Sequence, residues 1–246
     1  MPYSAKTNWR NNDIVTPDDL NRMEKGIADS ASPAEDVSLY IAPSGNDDTG
    51  TGEVDKPFRT VQKAIDSFSA NNALGKLCIL KMAEGSYPGF TLSCFKRIEI
   101  SAEGEIQITG DIVINSGRLT FVEESDTGIY LVGGRVIMNG GYFVCGVTLG
   151  ITNQGGMVNA IAVECSESSH FATYSDVIVA NYATAIKCSH SYISLHRFMT
   201  DVITTGIICD CGIVQIGDDV IQASTKFITQ NGGRIYVGAQ TKMPEY

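Results

Sequence analysis

Cationic side chains are scarce in this chain. Lys and Arg number 18 against 28 Asp and Glu in 246 residues, for a net charge of −10. That balance argues against a nucleic-acid backbone or an anionic membrane surface as partner. No run of 18 apolar residues occurs, so no membrane span is expected. The first residues lack the apolar stretch of a secretory signal, so none is expected there. There is no Gly-x-Ser-x-Gly turn to strain a nucleophilic serine, and His170, His190 and His196 have no metal-ligand spacing. The seven cysteines are an odd number and sit mostly inside apolar alternating stretches. They read as reduced, buried thiols rather than disulfide or metal ligands, and a reducing cytoplasm is the expected place of synthesis.

What the chain does have is glycine, 25 residues of it, and a repeat. Ile186, Ile207 and Ile228 are spaced by 21 residues, as are Ile193, Val214 and Ile235, and Leu195, Ile216 and Val237. Apolar residues alternate with others within each copy, the period of a strand. Asp176-Val177-Ile178, Asp201-Val202-Ile203 and Asp219-Val220-Ile221 suggest a second register. Ile112-Val113-Ile114 and Ile129-Tyr130-Leu131 suggest an earlier echo 17 residues apart. Short strands at this period predict a solenoid whose turns bury their inner faces on one another. Leucine-rich repeats share the period, but their Leu/Asn signature is missing. The predicted fold is all-β: a right-handed parallel β-helix of seven or eight turns, with Cys165, Cys188 and Cys209 stacked in its core. Stacking also predicts Glu164 beside Lys187, and Arg197 beside Asp218.

Residues 1–37 differ from the rest. Thr16-Pro17-Asp18-Asp19 is a helix start, with Thr as N-cap, Pro in the first helical position and acids in the first turn. The helix is expected to run to about Ala28, with Leu20, Met23 and Ile27 as one narrow apolar stripe that must pack on something. Asp29 to Asp36 reads as a linker to a second domain, 38–246. Asn8-Trp9, Asp13 to Thr16 and Asp18 to Ile27 resemble a short N-terminal segment of phage and prophage tail, appendage and baseplate proteins of Gram-positive hosts. That resemblance implies a virion (tail) location, attachment to other virion tail proteins, and synthesis in the host cytoplasm.

Leu39 to Gly45 forms a strand with a Pro/Gly turn. The loop Asn46 to Lys56 leads to Pro57-Phe58-Arg59-Thr60. A helix over about 60–70 follows, with Val61, Ala64, Ile65 and Phe68 on one face. From Tyr40 to Ile65, and again at Glu84-Gly85-Ser86-Tyr87, the order resembles the start of the pectate-lyase-like (pectin-lyase superfamily) β-helix. In that superfamily the helix plugs the open end of the solenoid. Its lyases combine Asp clusters for Ca²⁺ with a Lys or Arg base. The later turns here hold only Lys187, Arg197, Lys226 and Arg234, so the resemblance implies fold rather than that chemistry.

Asp176, Asp201 and Asp219 are the candidate catalytic residues. A glycosidase needs two carboxyls ~5–5.5 Å or ~6.5–9.5 Å apart, and stacked turns can place them so. The alternative is that each Asp closes a corner by hydrogen bonding to backbone. No cofactor is expected; Asn46, Asp47, Asp48 and Asp55 offer oxygens to Ca²⁺ but lack the spacing and closing Glu of an EF-hand loop. Only Ala239 to Tyr246 follow the last strand, so that end and the Leu20/Met23/Ile27 stripe are expected to self-associate, as a homotrimer. The expected function is a tail spike, fibre or appendage that binds a bacterial surface polysaccharide for host adsorption. A tail-spike depolymerase using the three Asp, or a plain tail spacer, is the alternative.

Overall fold

The computed structural model describes residues 15–31, 36–70, 77–122, 128–153 and 160–238. Trp9 to Ile14, the side chain of Ile27 and Ala239 to Tyr246, all used above, lie outside them. Two compact units divide the chain, 1–35 and 36–246.

In the first unit α1 spans Pro17–Ala31, a turn longer than expected, so part of the predicted linker is helix. Its start is a reciprocal cap. Thr16 Oγ1 accepts from the Asp19 amide at 3.2 Å, and Asp19 Oδ2 accepts from the Thr16 amide at 3.1 Å. Two amides that the helix cannot satisfy are thereby satisfied. Leu20 is 50% exposed and Met23 is also exposed.

The second unit is a parallel β-solenoid of about seven turns. Its elements in order are β1 (Val37–Ile41), α2 (Val61–Ala70), β2 (Leu77–Met82), β3 (Gly85–Ala102), β4 (Ile106–Val122), β5 (Gly128–Val132), β6 (Val136–Met138), β7 (Tyr142–Cys145), β8 (Thr148–Thr152), β9 (Ile161–Cys165), β10 (His170–Thr173), β11 (Asp176–Ala180), β12 (Thr184–Ser189), β13 (Tyr192–Asp210), β14 (Ile213–Gln230) and β15 (Arg234–Val237). All pairings between these strands are parallel. Long strands such as β3, β4, β13 and β14 bend round corners, and the pairings sort into three faces. Face one runs β1, β2, 97–102, 118–122, β7, β10, 192–195, 213–216, β15. Face two runs 85–88, 106–109, β5, β8, β11, 197–201, 218–221. Face three runs 90–93, 112–116, β6, β9, β12, 205–210, 223–230.

The inner columns are the core. On face one Cys78, Ile98, Leu119, Phe143, Phe171, Ile193 and Val214 stack rung on rung, every one fully buried. Phe143 and Phe171 lie face to face with centroids 4.9 Å apart. On face three Cys165, Cys188 and Cys209 stack as expected, and Met138 extends the sulfur column, with Cys165 Sγ 3.8 Å from Met138 Sδ. Burial pushes the thiol pKa of Cys145 up to about 12, that of Cys188 likewise, and holds that of Cys165 well above its ordinary value. These thiols therefore serve as small apolar groups.

Two sequence alignments slip. Ile207 pairs with Phe227, leaving Ile228 beside outward-facing Ile208, because the register shifts between Thr200 and Ile203. Ile129 pairs with Ile106, whereas Ile112 pairs with Val136, so the 17-residue echo is not a pairing.

At the N-terminal end, Val61, Ala64, Ile65 and Phe68 of α2 are all buried. Gln62 Oε1 accepts from the Thr91 amide at 2.8 Å, and Lys96 Nζ donates to the Phe68 carbonyl at 2.8 Å, so both ends of α2 are tied to β3. Thr60 caps the helix, accepting from the Lys63 amide.

Candidate functional site

Outward positions on face one form two columns beside the core column. The first reads Arg97, Arg118, Tyr142, His170, Tyr192, Ile213, Arg234. The second reads Glu99, Thr120, Val144, Ala172, Ser194, Gln215, Tyr236. Adjacent rungs are ~4.8 Å apart, so the rings of the first column meet. Tyr142 and His170 have centroids 5.6 Å apart, and His170 meets Tyr192 edge-on at 4.8 Å.

Over the upper part of this face lies a groove of about 1110 Å³. Arg97, Arg118, Tyr142, His170, Val144 and Ala172 line it along the rungs, so its length follows the solenoid axis. Its walls come from departures from the plain repeat. Between Ser93 and Arg97 the β3 chain carries extra residues, opposite which β4 has only Gly117. The extra chain bulges outward and leaves Phe95 95% exposed at the rim. Gly117 is required there. Its φ is +87°, and a Cβ would stand 2.0 Å from the Cys94 carbonyl oxygen. Tyr174, 56% exposed, stands at the other edge. Along the corner, Asn139 Nδ2 donates to Asn115 Oδ1 and Asn115 Nδ2 donates to Ser93 Oγ, each at 2.9 Å, a ladder of amides up the groove margin.

Burial lowers the His170 pKa below 6.5, and the Arg118 charge lowers it further. Arg118 is held only lightly, its Nε 3.4 Å from Thr120 Oγ1. Arg97 lies 3.6 Å from Glu99. A shallow channel of this kind, with aromatic faces for apolar ring surfaces and amides for hydroxyls, can hold an extended polar chain.

The three candidate acids lie elsewhere, on face two. Asp176 pairs with Arg197, which in turn pairs with Asp218, whereas Asp201 pairs with Ala180 and Asp219 with Phe198. They do not form one column. Asp201 is four residues along the strand from the Arg197 rung, ~13 Å at 3.3 Å per residue. Asp176 Oδ2 meets Arg197 Nη1 at 3.5 Å, and Asp219 Oδ2 is 4.0 Å from Lys226 Nζ. The Asp-Val-Ile repeats are out of phase: Val177 is buried in the first, Ile203 and Ile221 in the others. The motifs are spaced by 25 and 18 residues, against a 21-residue step between paired rungs, and Val202, at φ +52°, sits in the irregularity before Ile203.

Glu164 and Lys187 form the expected pair at 3.1 Å. Arg197 sits in register with Asp218 as expected, although its ion pair goes to Asp176. In the Asn46–Asp55 loop, Asn46 Oδ1 accepts from the amides of Asp48 and Thr49. Asp47 accepts from the amides of Arg59 and Thr60 and from Thr60 Oγ1 at 2.7 Å. Although burial opposes it, these bonds hold the Asp47 carboxyl below its ordinary value. Asn46 thus closes the loop's own turn, and Asp47 braces the start of α2. Among the described residues no three His, Cys, Asp or Glu converge as metal ligands, and no helix is long and apolar enough to cross a membrane.

The groove was missed because its residues are spread over separate turns. The usable signal was an aromatic residue just before a core position: Tyr142 before Phe143, His170 before Phe171, Tyr192 before Ile193.

Fold and site together define a capped parallel β-solenoid with an axial aromatic and polar groove. No protein-family model, curated protein or solved structure matches the chain.

Proposed function

We propose that this protein is a phage or prophage tail-associated host-adsorption component that lays a bacterial surface glycan along the face-one groove. The observation that carries the proposal is the Tyr142–His170 column running beside the Asn115–Asn139 amide ladder. Sugar rings present apolar faces and hydroxyl edges, and this surface offers a partner for each. The parallel stack supports a stiff shaft. The α2 plug supports kinship with pectate-lyase-like β-helices, and the Trp9-to-Ile27 pattern supports a tail location with other tail proteins as neighbours.

Exposed Leu20 and Met23 on α1 support self-association as a homotrimer, as does the outward ladder Ile178, Met199, Val220 on face two. A monomer in light scattering at micromolar concentration overturns that part.

The adsorption reading is tested with purified cell-wall polysaccharide from a Gram-positive host. Tyr142→Ala combined with Tyr174→Ala should weaken binding at least tenfold while leaving the melting temperature unchanged. Undiminished binding overturns the groove as the site. New reducing ends or unsaturated sugars in the polymer replace adsorption with depolymerisation.

A further inference from the structure

The charge of the groove is opposite to that of the protein. The chain as a whole carries −10, yet Lys96, Arg97 and Arg118 line the groove against one carboxylate, Glu167. Two of these cations have local partners: Lys96 donates to the Phe68 carbonyl at 2.8 Å, and Arg97 lies 3.6 Å from Glu99. Arg118 is different. It stands on the floor, one rung from Tyr142, and its side chain reaches only the Thr120 hydroxyl at 3.4 Å. Among the described residues it forms no ion pair with a carboxylate. A guanidinium beside an aromatic platform in a concave, partly desolvated channel is a fork for a planar or tetrahedral anion. A low-dielectric wall also concentrates its field within the channel.

Resting on the groove as the glycan site, we propose that its ligand is a polyanionic glycan, with Arg118 pairing to an anionic group while Tyr142 carries the adjoining ring. A repeating carboxylate and a backbone phosphodiester present the same charge to Arg118. The chemistry is therefore that of an acidic polymer, whichever group supplies the anion. The net negative charge of the protein sharpens the selection, since it disfavours an anionic chain on the surface as a whole while the groove attracts one.

The test uses the full-length protein and four immobilised polymers: hyaluronan, carboxyl-reduced hyaluronan, poly(glycerol phosphate) and dextran. The expected result is that hyaluronan or poly(glycerol phosphate) binds at least about tenfold more tightly than both neutral polymers. That preference should shrink as salt rises from ~20 to ~200 mM. Whichever of the two binds identifies the anion as carboxylate or phosphodiester. Arg118→Gln should remove most of the preference and Arg118→Lys only part of it, because Lys keeps the charge but loses the fork. Arg197→Gln, on face two, should leave it unchanged, and melting temperatures confirm that each variant folds.

Equal binding of charged and neutral polymers, lost in Tyr142→Ala, overturns the anionic ligand and leaves the glycan groove standing. Anion binding that survives both Arg118→Gln and Tyr142→Ala overturns both, as does failure of all four polymers to bind.

Discussion

Turns near the C-terminal end and turns beneath the groove solve the same packing problem differently. From Tyr192 onward the face-one rungs fall at a constant 21-residue step, Tyr192 to Ile213 to Arg234. Between face three and face one their corners are turned by left-handed residues: His190, Cys211, and Asn231 with Gly232. Beneath the groove, the steps from Arg118 to Tyr142 to His170 are longer, and the equivalent corners use Gly117, then Gly140 and Gly141, then Glu167 and Ser168. The inner columns of face one stay buried in both regions as far as Val214 and Ile216, and open only at Ile235 and Val237 of the last strand. The core therefore tolerates extra residues provided they are placed at corners, outside the stack. What the extra residues change is the outer surface, where a bulge and a widened corner turn a flat face into a channel. Uniform repetition makes the shaft, and interruption makes the site.

The sharpest way to probe that contrast is to cut the core in each region. Phe171 is fully buried against Phe143, and Phe171→Ala removes a stacked ring from a column that cannot collapse without shifting neighbouring turns. A loss of ~3–5 kcal/mol is expected. Ile235, in the last strand, is only partly buried, and Ile235→Ala should cost clearly less. Urea midpoints for the two variants give the comparison, and equal losses would mean that the end turn is packed as tightly as the middle.

A smaller effect separates the corners. Gly117→Ala meets both a left-handed backbone and the Cys94 carbonyl. Gly232→Ala meets a φ of +84° but has nothing within 4 Å of the added methyl. The second change should cost ~1–2 kcal/mol, the usual left-handed penalty. The first should cost more and should also displace the bulge that carries Phe95. Thermal melts rank the two, and loss of glycan binding in Gly117→Ala alone would tie the bulge to the groove. Similar melting temperatures for both would show that the bulge yields freely.

This contrast also explains what the sequence could reveal. The late turns are legible because their spacing repeats, and from it the columns through Ile193, Leu195 and Cys188 follow, together with the Glu164–Lys187 pair. Both helices are legible from local signals, the Thr16-Pro17 start of α1 and the apolar face of α2 at Val61, Ala64, Ile65 and Phe68. The groove is not, because no fixed period brings Arg118, Tyr142 and His170 together; that needs the true lengths of the irregular turns. The carboxylates that the repeat singles out, Asp176, Asp201 and Asp219, lie where the period is clearest. Even there the Asp-Val-Ile motifs recur after 25 and 18 residues rather than the 21-residue rung step, so Asp201 falls opposite Ala180 and Asp219 opposite Phe198. Periodicity reports positions that must be alike, whereas a binding surface depends on positions that differ.

At the corner between faces two and three the regular region carries a strain of its own. Gly110 and Gly133 turn it in early turns and Asn181 in a later one, all at positive φ, but Val202 holds φ +52° with its side chain 68% exposed. A β-branched residue is poorly suited to that conformation. Val202→Asn should stabilise the protein by about 1 kcal/mol, since Asn tolerates the left-handed region. A raised urea midpoint checks this, and a lowered one would mean that Val202 contributes packing that its exposure does not suggest.

The last difference between the regions is electrostatic and smaller. His170 lies in the groove, between Tyr142 and Tyr192, with Arg118 two rungs away and Glu167 on the neighbouring corner. Burial first, and then the Arg118 charge, lowers its pKa below 6.5. Folding thus favours the neutral ring. The stability this gives is fully present above the unfolded value near 6.5 and is lost as pH falls through the lowered folded value. Wild-type protein should lose melting temperature over that acid range, and His170→Gln should flatten part of the slope. Arg118→Gln should raise the His170 pKa without restoring its ordinary value, because burial remains. An NMR titration of the His170 ring in both proteins reads the change directly. A pKa unmoved by Arg118→Gln would place burial alone behind the shift.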